Sequence, residues 1–233
     1  MKKIGIMIFA VALVVGLVVA NMFSFGKSSG NFFNFSFNFK GVKGSGNVAT
    51  DLRGLSGFKA VDVGGVFQVE ITAQKEFSVE VEADDNLLPL IETEVRSGVL
   101  HIETARKIAP GSQIKIRISA PDIDELDVSG VAKVTLANVK NSRLTLDSSG
   151  ASKIKVSGET AKFTADVSGA TRIDAEELRT VDANIDASGA STVTVNVSGE
   201  LRGDASGASK ILYTGTPSNI QKNAHGASRV SPK

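Results

Sequence analysis

Three residue types that carry chemistry recur at matching places in the second half of the chain. Ser129, Ser149, Ser168, Ser188 and Ser206 form one set. A serine hydroxyl becomes a nucleophile only beside a general base. Asp127, Asp147, Asp166, Asp186 and Asp204 form the second set, and carboxylate oxygens suit a hard cation such as calcium. Lys133, Lys153, Arg172, Lys210 and Arg229 form the third, with Thr192 where one more base would fall. A basic column of this kind would offset stacked carboxylates or complement an anionic partner.

Each set is better read as surface and scaffold than as a reaction centre. The chain has two histidines, His101 and His225, and no G-x-S-x-G elbow. Equivalent serines in equivalent surroundings do not make the one unique site that catalysis needs. One aspartate per repeat supplies too few of the six to eight oxygens that calcium prefers. Calcium-binding β-roll repeats also have a much shorter period. There is no cysteine for a thiolate, a disulfide or a lipid-modified N-terminus. The segment KGSGN at 43–47 has glycine spacing but no following helix, so a phosphate loop is not supported. No catalytic residue, metal site or cofactor is expected, and the Asp and Lys/Arg sets are read as columns of surface charge. The alternative is a β-helix that binds or cleaves envelope polysaccharide. Sugar platforms use exposed Trp or Tyr, and the chain has no Trp and a single Tyr.

The spacing of these residues specifies what must hold them. DVSGVAKVTL begins at Asp127, DSSGASKIKV at Asp147, DVSGATRIDA at Asp166, DASGASTVTV at Asp186 and DASGASKILY at Asp204. NAHGASRV follows from Asn223, and DVGGVFQVEI at Asp62 is a divergent seventh copy. A period of about 19 residues marks a solenoid. Without a helical pattern the repeat is all-β, and its contour of roughly 60 Å suits a coil of about three short sides. Successive coils would stack as parallel strands about 4.8 Å apart. Val134, Ile154, Ile173, Val193, Ile211 and Val230 then share one inward column, and Leu144, Phe163, Ala183 and Leu201 another. Gly130, Gly150, Gly169, Gly189, Gly207 and Gly226 mark one bend per coil, where the serines would bond local backbone groups.

The rest of the chain frames this array. Lysine and arginine total 26 against 25 acidic residues, so no strongly basic face for nucleic acid is implied. Two lysines precede a charge-free apolar run at 4–20. Residues 1–25 therefore read as a cleaved export signal or an uncleaved membrane anchor, and either delivers the remainder outside the inner membrane. Residues 26–46 read as a Gly/Ser/Asn/Phe-rich linker. In it Phe33, Phe35, Phe37 and Phe39 alternate with polar residues, which also fits an added edge strand or an aromatic patch. Residues 47–230 read as the head, with regular coils from about 127. Alternating runs such as EFSVEVEAD and SQIKIRISA predict strands before the coils, and Pro89 limits any helix near 84–95 to about a turn.

VKGSGNVATDLRGLSGFKAVDVGGVFQVEIT at 42–72, DDNLLPLIETEVRSGVLHI at 84–102 and the iterated D-x-S-G-A-S coils resemble the putative auto-transporter adhesin, head GIN domain family. The resemblance covers about 43–230. It implies an all-β, right-handed parallel β-helix-like solenoid and a bacterial envelope protein, and it carries no catalytic residues with it. The expected function is adhesion, surface binding or envelope scaffolding. The partner would be a surface glycan or protein, with the membrane engaged through the N-terminal segment if uncleaved, no nucleic acid, and self-association through a coil end as a further option.

Overall fold

In a computed structural model, residues 41–233 are described. The signal-or-anchor segment and most of the Phe-rich linker lie outside them. No helix among the described residues is long and apolar enough to cross a membrane. The architecture is an all-β solenoid, and its only helical element among these residues is the 3₁₀ turn Leu88–Leu90, which carries Pro89.

The coils stack in register. Strands Lys133–Gly150, Lys153–Val167 and Arg172–Ala187 each run through most of a turn and pair in parallel. The later turns are split into Thr192–Val197 with Glu200–Ala205, and Lys210–Gly215 with Asn219–Ala224, before Arg229–Pro232. The three long strands alternate inward, mostly apolar residues with outward, mostly polar ones, which lets a pleated ribbon bury one face. Val134 lies beside Ile154, Ile154 beside Ile173, Ile173 beside Val193, Val193 beside Ile211 and Ile211 beside Val230. All six are buried. Each such side chain contributes roughly 1.5–3 kcal/mol.

The divergent copy at Asp62 takes its place in the same file. Strand Ala60–Gly65 pairs in parallel with Glu125–Gly130, placing Asp62 beside Asp127. Gln68–Ala73 lies under the start of the first long strand, Val69 beside Val134. The unequal spacing of the repeats is absorbed at the second bend. The register slips between Leu136 and Val139, between Lys155 and Ser157, and between Ala175 and Arg179. The first two slips each take up one residue and the third takes up three, without disturbing the columns on either side.

Below Asp62 the stack departs from the all-parallel pattern. Val99–Thr104 and Lys115–Ala120 still pair in parallel with the strands above them. Ile91–Arg96 then runs antiparallel to Val99–Thr104, Ser78–Asp84 antiparallel to Lys115–Ala120, and Val48–Arg53 antiparallel to Ser78–Asp84. An antiparallel strand can be joined by a two-residue turn, whereas another parallel layer needs a full crossover. Ser97 at φ 52° and Gly98 at φ 82° make such a turn between Arg96 and Val99. Val42–Lys43 pairs with Ile108–Ala109, so the chain is already in a strand at the end of the stretch read as a linker. Phe58, Ile71, Ile91, Ile102 and Ile116 fill this base and run continuously into the core of the coils.

At the opposite end, strand Asn219–Ala224 is exposed throughout. Lys222 stands next to Gly203, in the inward column of Leu146, Ala165 and Ile185. Pro232, next to Tyr213, brings a residue without an N–H to the other open edge. A charge in an inward column and a proline at an edge both discourage further strands from adding.

Candidate functional site

The Ser-Gly-Ala bends form one edge of the solenoid, between the aspartate side and the basic side. Gly150 sits at φ 120°, and a Cβ there would lie 2.4 Å from the carbonyl oxygen of Gly130 in the preceding coil. The backbones touch at this bend, so glycine is needed for both conformation and room. The N–H of Ala151 donates to that same Gly130 oxygen at 2.9 Å, and Ala170 and Ala190 repeat the bond to Gly150 and Gly169.

On one side of the bend, Asp127 stands beside Asp62 and Asp147, and the file continues through Asp166, Asp186 and Asp204 to Asn223. Burial against the neighbouring coils, together with repulsion from Asp62, Asp147 and Glu125, raises Asp127 above the usual carboxylate range. Burial and Asp166 raise Asp147, and burial with Asp204 and Asp166 raises Asp186. The file is relieved at its ends. His101 lies beside Asp62, with Nδ1 2.9 Å from Asp62 Oδ2. Asn223 Nδ2 donates to Asp204 Oδ1 at 2.6 Å, and with help from Arg202 it lowers Asp204 despite partial burial.

Across the bend, Lys133 lies beside Lys153, Lys153 beside Arg172, Arg172 beside Thr192, Thr192 beside Lys210 and Lys210 beside Arg229. No ion pair links this file to the aspartates among the described residues. The expected neutralisation of one column by the other does not occur. The bend holds the two files on different sides of the coil, and the carboxylates keep their mutual repulsion.

The concave features are shallow. A groove of about 380 Å³ beside the lower bends is lined by Val66, Pro110, Val131, Lys133 and Lys153. A depression of about 130 Å³ is lined by Asp166, Asp186 and Asp204 with His225. Its carboxylates rise from one file and form a single wall, whereas glycoside hydrolysis needs a pair flanking the bond. No group of three or more metal-ligating side chains is gathered among the described residues.

The profile of the putative auto-transporter adhesin, head GIN domain, matches residues 57–217. The chain belongs to this family. Among solved structures, a putative adhesin from Bacteroides fragilis NCTC 9343 is similar, with a TM-score of 0.67 and 19% identity, covering 83% of this chain and 100% of that one. A putative adhesin from Parabacteroides merdae ATCC 43184 aligns at a TM-score of 0.48 and 18% identity, covering 82% of this chain and 98% of its own. A putative lipid binding protein from Parabacteroides distasonis ATCC 8503 gives 0.46 and 20%, covering 83% and 100%. At such identities likeness speaks to fold alone, and the Bacteroides structure carries it. Comparison with curated proteins finds no match.

The head GIN domain of this chain uses a different hydroxyl at its bends from the one singled out by sequence. Of the first serines in the motif, Ser168 and Ser188 donate to the coil below at 3.5 and 3.4 Å, and not to their own bend. Shorter bonds come from the residue two after the glycine. Ser209 Oγ donates to Ala187 O at 2.9 Å, and Ser228 Oγ lies 2.8 Å from both Ala205 O and His225 O, with one proton to share between them. Ser152, Thr171, Ser191 and Ser209 are buried. A buried hydroxyl must be hydrogen-bonded. Ser152, Ser209 and Ser228 turn theirs to carbonyls of the coil below that already accept a backbone N–H, and Thr171 meets the Ser148 hydroxyl. The signal was present in the sequence, since Ser or Thr recurs at this place after five of the six bend glycines, Gly130 being followed by Ala132 instead.

A second cradle lies in the base. The buried carboxylate of Asp84 accepts from the N–H groups of Gly46 at 3.0 Å, Gly111 at 2.8 Å and Ser112 at 3.2 Å. Burial alone would raise its pKa, but the convergent donors from Ser112, Gly111 and Gly46 outweigh it and hold Asp84 below its ordinary value. The glycine-spaced KGSGN segment therefore wraps an internal carboxylate.

Proposed function

We propose that this protein is a non-enzymatic component of the bacterial cell envelope whose β-helical head binds a surface outside the inner membrane. In this reading residues 1–25 export or anchor the chain, 26–46 space the head from the membrane, and the coil is right-handed, as parallel β-crossovers are in nearly all proteins. The reading rests above all on the in-register columns: each outward side chain is repeated along a flat side, so many weak contacts of one kind add along it. A catalyst would instead need one constellation unlike the rest. Family membership and the fold likeness to a putative adhesin support the same view.

The test has two arms. Protease added to intact cells and to spheroplasts should digest the head from outside the inner membrane. The purified full chain should bind members of a glycan and matrix-protein array without shortening any glycan. A head digested only after the inner membrane is opened would overturn the reading, and so would a bound polysaccharide that emerges cleaved.

A further inference from the structure

We propose that the basic file beside the Ser-Gly-Ala bends is a binding track for a linear acidic polysaccharide laid along the stack. The proposal rests on the surface-binding reading above and adds the side used and the chemistry of the ligand. Lys133, Lys153, Arg172, Lys210 and Arg229 occupy five of six successive levels, with Thr192 in the remaining one. Five steps of ~4.8 Å give a track of roughly 24 Å.

Three observations separate this file from ordinary surface charge. The first is that every cation of this file from Lys133 to Arg229 lacks a carboxylate partner among the described residues; Lys140, Arg143 and Lys162 lack one too, but they are split between two other files and lie beside Glu159 and Asp182. Lys155, in the neighbouring row, pairs with Glu177 at 2.7 Å and Arg179 pairs with Glu159, while Lys115, which continues the file below Gln68, is held by Glu82 of the base at 2.8 Å. Second, the charges are held directly over one another, an arrangement that destabilises a sheet unless a counter-charge is supplied. The acidic groups on the same side include Glu70, Asp174, the Glu176 held by Lys233 and the Glu177 already engaged by Lys155. Third, the approach from the bend is low from Lys153 to Lys210, because exposed Ala151, Ala170, Ala190 and Ala208 stand there, with the larger Val131 only at the Lys133 level.

The chemistry favours a sugar polymer over a nucleic acid. Single-stranded nucleic acid is held by bases stacked on exposed aromatic rings. The lone tyrosine, Tyr213, sits in an inward column, packed against the core. Neutral hydrogen-bonding groups flank the cations instead, Gln68 below Lys133 and Thr192 within the file. These suit hydroxyls between regularly spaced acid groups.

The experiment uses the full chain purified in nonionic detergent, titrated with polygalacturonate, dextran sulfate, neutral dextran and oligo(dT). Polygalacturonate should bind in a salt-sensitive manner, neutral dextran should not, and dextran sulfate reports whether sulfate substitutes for carboxylate. The triple variant Lys153→Glu, Arg172→Glu, Lys210→Glu should lose about tenfold or more in affinity. The equally charged control Lys140→Glu, Arg143→Glu, Lys162→Glu, on another side of the coil, should change it by about twofold or less. Thr192→Lys completes the file and should tighten binding about threefold, a gain that misfolding cannot imitate. Equal losses in both triples, no gain from Thr192→Lys, or tighter binding of oligo(dT) would each overturn the track. A chain that ignores every acidic polymer yet binds another array member would overturn the track and leave the surface-binding reading standing.

Discussion

In the base of the solenoid, unlike charges face one another across strands. Lys115 pairs with Glu82, and Arg117 pairs with both Glu80 and Glu82. In the coils, like charges face one another: aspartate over aspartate on one side of the bend and base over base on the other. The difference follows from how each region is assembled. The base brings together segments of unrelated sequence, some antiparallel, so any residue can be set opposite any other. A repeat stacked in register sets each residue opposite its own copy, so charge can be neutralised only where copies diverge or where the stack ends. Lys155 opposite Asp174 and near Glu177 is a divergence of that kind, and His101 and Asn223 are the two ends of the aspartate file.

This contrast can be strained by substitution. The largest effect is expected in the coil core, where Phe163→Ala should cost about 4 kcal/mol by urea unfolding. Leu52→Ala on the outer edge strand of the base, where Leu52 is 71% exposed, should stay within about 0.5 kcal/mol. Next come the bends. Gly150→Ala drives a methyl into the Gly130 carbonyl and should cost about 3 kcal/mol. Gly57→Ala in the base also has a positive φ but meets nothing within 4 Å, and should cost only about 1 kcal/mol. A reversed order in either pair would mean that the tight stacking at the bends is not what stabilises the coils.

Protonation should separate the two regions by sign. Asp84 has a folded value below its ordinary 3.8, so its stabilisation is present above 3.8 and is lost as pH falls through the folded value. Asp84→Asn should lower Tm at neutral pH and weaken the acid dependence below 3.8. Asp127, Asp147 and Asp186 have folded values above 3.8. Their contribution is complete below 3.8 and is lost as pH rises through those folded values. The smallest effect is therefore a gain. Asp147→Asn should stabilise the chain by about 0.5 kcal/mol at pH 7 and should reduce the rise in Tm seen on mild acidification. Thermal melts across pH check both, and a loss of stability in Asp147→Asn at pH 7 would show that the file is not repulsive.

What could be read from sequence follows the same divide. In the coils one residue predicts its neighbours, because the cross-strand partner is the next copy. The Val134-to-Val230 file and the placing of Asp62 under Asp127 were legible for that reason. In the base the individual strands could be read from alternation, but not their antiparallel pairing. The partner of Ser78–Asp84 lies some 35 residues on, with no shared motif to mark it. The cradle of Asp84 was hidden for the same reason, since its donors come from two separate loops. The role of Ser209 and its equivalents was missed although its recurrence was visible. The glycine beside it fixes the bend, but linear spacing does not show which hydroxyl turns inward to a carbonyl of the coil below. The charge files were legible as files. Their isolation from each other was not, because linear spacing does not show on which side of a bend a side chain emerges.

The matched register has a consequence for inheritance. Residues 147–165 could be lost, or copied, and Asp166 would still meet an aspartate, Ile173 a branched aliphatic and Gly169 a glycine. Each such event would shorten or extend the head by ~4.8 Å without asking any other position to adapt. The height of the stack is thus a length that a single genetic slip can reset.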